Sequence, residues 1–262
     1  MTEIKVNGLV VQEREIGEND KLLTVLTERY GKVFVIGKGV RSLKNRNMCC
    51  SHIFTYASFG LRRRGNYYYI VDSDLIESFF DIRNDLSKLS LSIYVCDVVN
   101  HVAQEGQAED DILRLALNVL FAIKQNVQSL EIIRAAFQIR IVSLLGMAPD
   151  VSCCSVCGEE NVSKGYLDLI DGIIVCNDCK EVAARNAVDS FSEYGLNKPI
   201  AQISAPIIET IEYIINADPK RFLSFSLAED ELISFFDASE KFLLNQLERG
   251  FYSLDFYKTM LI

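Results

Sequence analysis

The sequence has no pattern typical of an export signal or of a membrane span. No apolar stretch approaches the roughly 20 residues that a helix needs to cross a bilayer. The first residues hold no basic region followed by an apolar run, so we expect no signal peptide. Eight cysteines without an export signal favour a reducing compartment. The expected location is the cytoplasm, and no membrane partner is expected.

The sequence also has little that could carry catalysis. Its two histidines, His52 and His101, lie far apart, and no His-x-Glu precedes the cysteine pairs as a zinc deaminase would require. A Gly-x-Ser-x-Gly motif is missing. The segment Gly37-Lys-Gly39 resembles part of a phosphate loop but lacks the Lys-Ser/Thr that opens the following helix. We therefore expect a protein without enzymatic turnover.

Prolines are few, and neither repeats nor low-complexity segments occur. With only four prolines, no long extended linker separates the parts of the chain. Its 262 residues suffice for two domains with a sizeable core. We expect an α+β fold, in which residues 1–80 form an N-terminal β domain and residues 81–262 a helical domain. A small insertion is expected at residues 151–182.

Two Cys-x-x-Cys pairs are the strongest motif. Cys154 and Cys157 form the first pair, and Cys176 and Cys179 form the second after eighteen residues. Two intervening residues let both sulfurs of a pair reach one metal, and four thiolates complete the tetrahedron of a structural Zn²⁺. Such a site has no open position for catalysis. The alternatives are a disulfide pair and a redox Cys-x-x-Cys.

The residues between the cysteine pairs support a zinc ribbon at residues 151–182. Asp171-Gly172 joins two short apolar runs, which predicts a hairpin turn. The adjacent Cys153 could compete for the metal, but Cys154 has the required spacing to Cys157. The segment from 153 to 179 has one basic residue and five acidic ones, which disfavours phosphate contact there.

Acidic residues are missing from one part of the chain, although they predominate overall. The net charge is −9, yet residues 1–80 hold twelve Lys and Arg against nine Asp and Glu, which gives +3. The remaining residues hold fifteen against twenty-seven, which gives −12. Residues 32–70 contain eight basic side chains and no acidic ones. This asymmetry is typical of a polyanion-binding module attached to an acidic body.

The N-terminal region predicts a small β-barrel. Strands are predicted at residues 5–11, 21–27, 32–36, 54–59 and 67–71. The Leu-rich segment 21–27 fits a helix equally well, and residues 61–65 are predicted to form a hairpin tip. Five short strands separated by turns favour the OB-fold, whose strand face and loops bind oligonucleotides.

Basic and aromatic side chains are interleaved within this region. The candidate DNA-binding residues are Lys38, Arg41, Lys44, Arg46, Arg62, Arg63 and Arg64. The candidate base-stacking residues are Tyr56, Tyr67 and Tyr69. Cations that follow a phosphate backbone beside aromatic faces are typical of single-strand binding. The alternative is that some of the tyrosines belong to the core and the arginines form a solvated tip.

After residue 74 the apolar pattern becomes helical. Helices are predicted at residues 85–102, 110–127, 130–145, 180–188, 204–215 and 226–247, with an apolar tail at 254–261. The sequence Ser226-Leu-Ala-Glu229 matches a capping box that would begin the long helix.

The chain resembles the RecO family of bacterial recombination mediators along its whole length. The stretches that carry the resemblance are Gly17-Glu-Asn-Asp20, Thr27-Glu-Arg-Tyr-Gly31, Lys38-Gly-Val-Arg41, Leu145-Gly-Met-Ala-Pro149 and Ser253-Leu-Asp-Phe256. The resemblance implies an OB-fold, a helical body and an inserted zinc ribbon. It also implies binding of single- and double-stranded DNA, strand annealing, and action with RecR to load RecA onto strands coated by the single-strand-binding protein. A nucleoid-associated protein is expected.

Two other functions fit the residues. One is a protein-interaction scaffold whose basic loop docks an acidic partner, such as the tail of the single-strand-binding protein. The other is an RNA-binding OB protein. Charge reversal of Arg62, Arg63 and Arg64 distinguishes the DNA-binding mediator from the scaffold, and a clear preference for RNA would favour the third function.

Overall fold

The computed structural model describes residues 3–108, 110–186 and 199–260. The chain forms two compact units. The first unit combines Met1–Leu130 with Phe251–Ile262, and the second is Glu131–Gly250. Two helices predicted for the helical domain therefore pack in the same unit as the barrel. The predicted domain boundary at residue 80 stays a prediction, because a compact unit is not a measured folding domain.

The first unit contains a closed five-stranded barrel. Its strands are β1 (Glu3–Ile16), β2 (Asp20–Thr27), β3 (Gly31–Gly37), β4 (Thr55–Arg64) and β5 (Tyr67–Ser78). They follow the order β1-β2-β3-β5-β4, and β4 pairs back with β1 to close the barrel. Only the β3–β5 pair is parallel. The predicted N-terminal barrel in an α+β fold is confirmed, and residues 21–27 form a strand rather than a helix.

The β4–β5 hairpin differs from the prediction. Residues 61–64 belong to β4 and are not a tip, because Arg64 pairs with Tyr67 across a turn of only two residues. Gly65, which has φ of +61°, supplies the left-handed conformation that this turn needs. Strand β5 continues to Ser78, beyond the start of the predicted helical region. The long strands pair over most of their length, which favours extension over local helical propensity.

Alternation along the strands determines which side chains face the barrel interior. In β4, Ala57, Phe59 and Leu61 are fully buried, and successive residues of a strand point to opposite faces. The core contains Val6, Val10, Leu23, Val25, Val33, Val35, Cys50, Ala57, Phe59 and Leu61. Partly buried residues pack against it, namely Ile4, Tyr30, Tyr68 and Ile70. Arg63 therefore shares the inner face of β4, whereas Arg62 and Arg64 share its outer face.

Helices complete the first unit. They are α1 (Leu86–Val102), α2 (Asp110–Gln125) and α7 (Tyr252–Thr259), and a 3-10 helix spans Phe80–Asn84. Asp85 caps α1 by accepting a hydrogen bond from the N–H of Lys88. The C-terminal helix α7 packs on α1, where Ser253 Oγ donates to Asp97 Oδ2 at 2.7 Å. The predicted tail residue Leu261 lies outside the described residues.

Gly31 allows the loop after α1 to pack against the barrel. Its φ is +57°, and a Cβ at this position would lie 2.2 Å from the carbonyl oxygen of Gln107 and 2.3 Å from that of Gln104. The next residue, Lys32, donates its N–H to Gln104 O at 2.9 Å. Only glycine fits so close an approach of two backbone segments.

The described part of the second unit contains a four-stranded sheet and four helices. Its strands are β6 (Asp150–Cys154), β7 (Lys164–Asp168), β8 (Ile173–Cys176) and β9 (Ile200–Ser204), in the order β6-β8-β7-β9. Its helices are α3 (Leu130–Leu144), α4 (Asn177–Asn186), α5 (Ala205–Asn216) and α6 (Glu229–Gln246). Gln246 Nε2 donates to the carbonyls of Leu169 and Ile170 at 2.9 Å, which attaches α6 to the β7–β8 turn.

Sequence reasoning missed parts of this unit. Strands β6 and β9 were not predicted, since each is a short edge strand that gains its identity from pairing. The predicted capping box at residues 226–229 is wrong, because α6 begins at Glu229 after an Ala228 that makes no side-chain cap. The end of the predicted helix at Val188 lies outside the described residues. None of the helices described here combines the length and the apolar character that a membrane crossing requires.

Candidate nucleic-acid interface and metal site

The four predicted metal-binding cysteines lie together in the second unit. The sulfur atoms of Cys154, Cys157, Cys176 and Cys179 all lie within 4.8 Å of one another. Between Cys157 and Cys176 the sulfurs are 3.9 Å apart. Four sulfurs at 2.3 Å from one Zn²⁺ are about 3.8 Å from each other, from the tetrahedral geometry of such sites. The four thiols are therefore close enough to hold one metal ion.

Local structure brings the two cysteine pairs together. Cys154 ends β6, Cys176 ends β8, and Cys179 lies in the first turn of α4. Gly158 follows the first pair with φ of +77° and donates its N–H to the carbonyl of Cys154 at 2.9 Å. The β7–β8 hairpin predicted between the pairs is present. Its turn contains Gly172 at φ of +68°.

Backbone N–H groups favour ionisation of one sulfur. Burial raises the pKa of Cys154, but N–H groups of Cys176, Cys157 and Val156 outweigh burial and lower the pKa to about 6. Burial and the neighbouring sulfurs raise the pKa of Cys179, and burial likewise raises that of Cys176. A divalent cation would supply the positive charge that lets these thiols ionise as well.

The arrangement of the sulfurs favours a shared metal ion over two separate cysteine pairs. All eight cysteines are free thiols, and one sulfur from each of four residues converges on one point. Cys153 is not one of the four converging residues, which agrees with the predicted choice of Cys154. Among the described residues, this is the one group of three or more His, Cys, Asp or Glu side chains that could hold a metal ion.

The basic loop between β3 and β4 is joined to the β1–β2 turn. Lys38 Nζ forms an ion pair with Asp20, whose other oxygen accepts the N–H of Gly39 at 2.8 Å. The bond to Lys38 and the N–H of Gly39 lower the pKa of Asp20. Arg41 pairs with Glu15 at 3.0 Å and donates to the carbonyl of Glu18 at 2.9 Å. Two of the stretches that resemble the RecO family therefore contact each other.

The remaining cations of this loop have no acidic partner. Arg46 donates to the carbonyl of Val71 at 3.2 Å, which places its guanidinium beside β5. The side chains of Lys44 and Arg46 are exposed, and no carboxylate of the described residues pairs with them. Such side chains can form ion pairs with phosphate without first breaking an internal one.

The three hairpin arginines differ in their contacts. Arg62 pairs with Glu3, its partner across the β1–β4 ladder, and its Nε lies 2.9 Å from the carboxylate. Arg64 lies over the ring of Tyr69 with its Cζ 5.4 Å from the centroid. Arg63 lies on the inner face over Tyr68 at 6.0 Å. Neither Arg63 nor Arg64 has an acidic partner among the described residues.

The candidate stacking residues are separated by the fold. Tyr69 lies on the outer face of β5 beside Arg64, and Lys38 interacts electrostatically with its hydroxyl. We call Lys38, Arg46, Arg64 and Tyr69 the outer cluster. Tyr67 is 43% exposed at the start of the same strand.

Tyr56 lies near the opposite end of β4. It is six residues, or about 20 Å along a strand, from Arg62. Its hydroxyl donates to Glu28 at 2.8 Å, and burial together with this carboxylate raises the pKa of Tyr56 to about 12. A ring held in this way is poorly suited to stack on a base beside the basic loop.

Sequence reasoning missed the carboxylates that neutralise part of the basic region. Glu3, Glu15 and Asp20 pair with cations that lie between 18 and 59 residues away in the chain. No local pattern signals these pairs, which depend on strand register. The alternation of the hairpin residues could have predicted the positions of Arg63 and Tyr68, because alternate residues of a strand share a face and both of these lie on the inner one.

Comparison with known proteins agrees with this arrangement. Residues 1–79 match the family model described as Recombination protein O N terminal, and residues 83–198 match Recombination protein O C terminal. A DNA repair protein RecO of Acetivibrio thermocellus is 30% identical over 261 residues, 99% of this chain and 98% of that protein. A DNA repair protein RecO of Thermoanaerobacter sp. strain X514 is 28% identical, over 88% of this chain and 97% of its own length. The chain therefore belongs to the RecO family.

Proposed function

We propose that this chain is a DNA repair and recombination mediator. It binds single- and double-stranded DNA through the N-terminal barrel, anneals complementary strands, and acts with RecR to load RecA onto strands coated by the single-strand-binding protein. The observation that carries the proposal is a set of exposed cations, without acidic partners among the described residues, near the partly exposed tyrosines of β5. The relatives named as DNA repair proteins support the same role.

The electrostatic argument depends on which cations are free. Lys38, Arg41 and Arg62 already pair with carboxylates, so a phosphate must replace an internal partner to bind them. The other four of the seven candidates have no acidic partner among the described residues, namely Lys44, Arg46, Arg63 and Arg64. Each phosphate that they neutralise releases condensed counterions, which favours binding at low salt. Binding through phosphates does not depend on base sequence, as a mediator acting at any damaged site requires.

Zinc is the cofactor that fits the four cysteines. Cys154, Cys157, Cys176 and Cys179 supply four sulfur donors, the set that structural Zn²⁺ sites prefer. When bound, the ion would cross-link the ends of β6 and β8 to the start of α4. A site closed by four protein ligands leaves no position for substrate. The metal accordingly supports folding, and the protein works by binding, without catalytic turnover, in the cytoplasm at the nucleoid.

Charge reversal in the hairpin tests DNA binding. Arg63→Glu/Arg64→Glu removes two cations that lack acidic partners, and we expect affinity for a fluorescein-labelled single strand to fall at least ten-fold in 0.1 M salt. Lys220→Glu/Arg221→Glu in the second unit is the matched control, since it makes the same change in net charge at exposed residues. Annealing of complementary strands is measured in parallel.

Four outcomes separate the candidate functions. Loss of binding in the hairpin variant alone supports the mediator. Equal loss in both variants means that net charge and not this surface governs binding. If the unaltered protein binds no DNA even in 0.02 M salt, the DNA-binding mediator is wrong, and a scaffold that acts through its protein partners takes its place. Tighter binding of RNA than of DNA of equal sequence would favour the RNA-binding alternative.

A further inference from the structure

One end of the barrel contains a pocket whose lining includes Arg63, one of the four cations proposed to bind phosphate. Its lining residues are Ile4, Tyr30, Arg63, Gly65 and Tyr68, and its volume is about 540 Å³. Three of them, Ile4, Tyr30 and Tyr68, pack against the barrel core. The pocket thus combines an apolar floor, two aromatic side chains and one cation. This composition suits a planar, partly polar molecule.

Arg63 is weakly held at this pocket. Its guanidinium lies over the ring of Tyr68 at 6.0 Å, and its Nε donates to the carbonyl of Gly65 at a long 3.3 Å. It has no acidic partner among the residues that the structure describes. At the hairpin turn, a Cβ on Gly65 would meet no atom within 4 Å, so the turn leaves open space beside it. Arg63 can therefore turn away from Tyr68 at little cost.

The same hairpin carries Arg64 and Tyr69, two members of the outer cluster, on its other face. Arg64 and Tyr69 lie outside, while Arg63 and Tyr68 lie inside, and Arg64 is adjacent to Arg63 in β4. A phosphate backbone held by Arg64 would pass within a residue or two of the pocket. The molecule presented to the pocket would then be a base of that strand.

We propose that this pocket accepts one unpaired nucleobase, which stacks on Tyr68 while Arg63 turns outward to a phosphate. The inference rests on the proposed DNA binding and adds a means of selecting single strands. Bases of a duplex are stacked and paired, and extruding one of them is costly. An unpaired base can enter directly and gains a stack on an aromatic ring. The pocket accordingly favours single-stranded over double-stranded DNA.

Abasic DNA provides the test, because it keeps the phosphates and removes the bases. Affinity of the full chain is measured for a labelled twelve-residue oligothymidylate and for an abasic strand of the same length. We expect the unaltered protein to bind the abasic strand about 30-fold more weakly, in the middle of the range for one base–aromatic stack. Tyr68→Leu should weaken the binding of oligothymidylate by the same factor and leave the affinity for the abasic strand unchanged. Tyr68→Phe, which keeps the ring, should retain it.

Each outcome is decisive. If the unaltered protein binds neither strand, the proposed DNA binding itself is wrong. If it binds both strands equally and with a steep salt dependence, DNA binding stands and the base pocket is wrong. A Tyr68→Leu variant that weakens both strands alike would show that the ring is only structural. Should Tyr68→Leu not fold, a 2-aminopurine strand decides on the unaltered protein: quenching of its fluorescence on binding supports a stacked base, and unchanged emission overturns it.

Discussion

Arg62 and Arg64, which share the outer face of β4, should contribute unequally to DNA binding. Arg62 pairs with Glu3 through its Nε at 2.9 Å and through a second contact, whereas Arg64 lies over the ring of Tyr69 and has no acidic partner among the described residues. A phosphate must displace Glu3 to reach Arg62, but it can approach Arg64 without breaking an ion pair. We therefore expect Arg64→Ala to remove one phosphate contact and Arg62→Ala to remove none. Both variants lose one positive charge, so each controls for net charge in the other.

The structure also gives the size of the effect. For single strands, log affinity falls with log salt with a slope of about −0.7 for each phosphate neutralised. Four cations without acidic partners predict a slope of about −2.8, and engagement of all seven candidates would give about −4.9. A slope of about −2.8 weakens binding about 50-fold between 0.05 and 0.2 M salt. Arg64→Ala should change the slope to about −2.1, so that affinity falls only about 20-fold over the same range of salt.

Fluorescence anisotropy with a labelled oligothymidylate measures this slope over 0.05–0.3 M salt. Circular dichroism and thermal unfolding establish that both variants remain folded. The reasoning is refuted if Arg62→Ala lowers the slope as much as Arg64→Ala does. A slope near −5 for the unaltered protein would likewise show that internal ion pairs do not hold cations back from DNA.

Three further predictions concern stability. Gly31→Ala should lower the free energy of unfolding by about 3 kcal/mol, because a side chain there combines a left-handed backbone with a clash against two carbonyl oxygens; urea unfolding measures the loss. Cys154→Ser should abolish stoichiometric zinc in a metal analysis and lower the melting temperature, whereas Cys153→Ser, outside the cluster, should retain both. Glu240→Leu should lower the free energy of unfolding by about 3 kcal/mol, because it removes the acidic partner of the Arg134 guanidinium, whose side chain is 5% exposed. Adding Arg134→Met should restore most of that stability.

Local patterns in the sequence predicted much of the barrel and the metal site. Alternating apolar residues specify strands regardless of their partners, so β2 and β3 were placed within a residue. The two Cys-x-x-Cys pairs predicted a cluster, because short spacing by itself brings two sulfurs together. The hairpin tip was misplaced, since a run of three arginines looks like a turn until its pairing with residues 67–69 is known.

The basic N-terminal region, the barrel strands and the four cysteines were predictable, because each depends on residues close in the chain. Which cations remain available for phosphate depends instead on tertiary contacts. Strand register brings Glu3 to Arg62, and packing of the basic loop on the β1–β2 turn brings Asp20 to Lys38. Tertiary contacts also place Tyr68 at a pocket lined by residues from three other segments. Contacts between distant segments arise only when the barrel closes, and no local pattern encodes them.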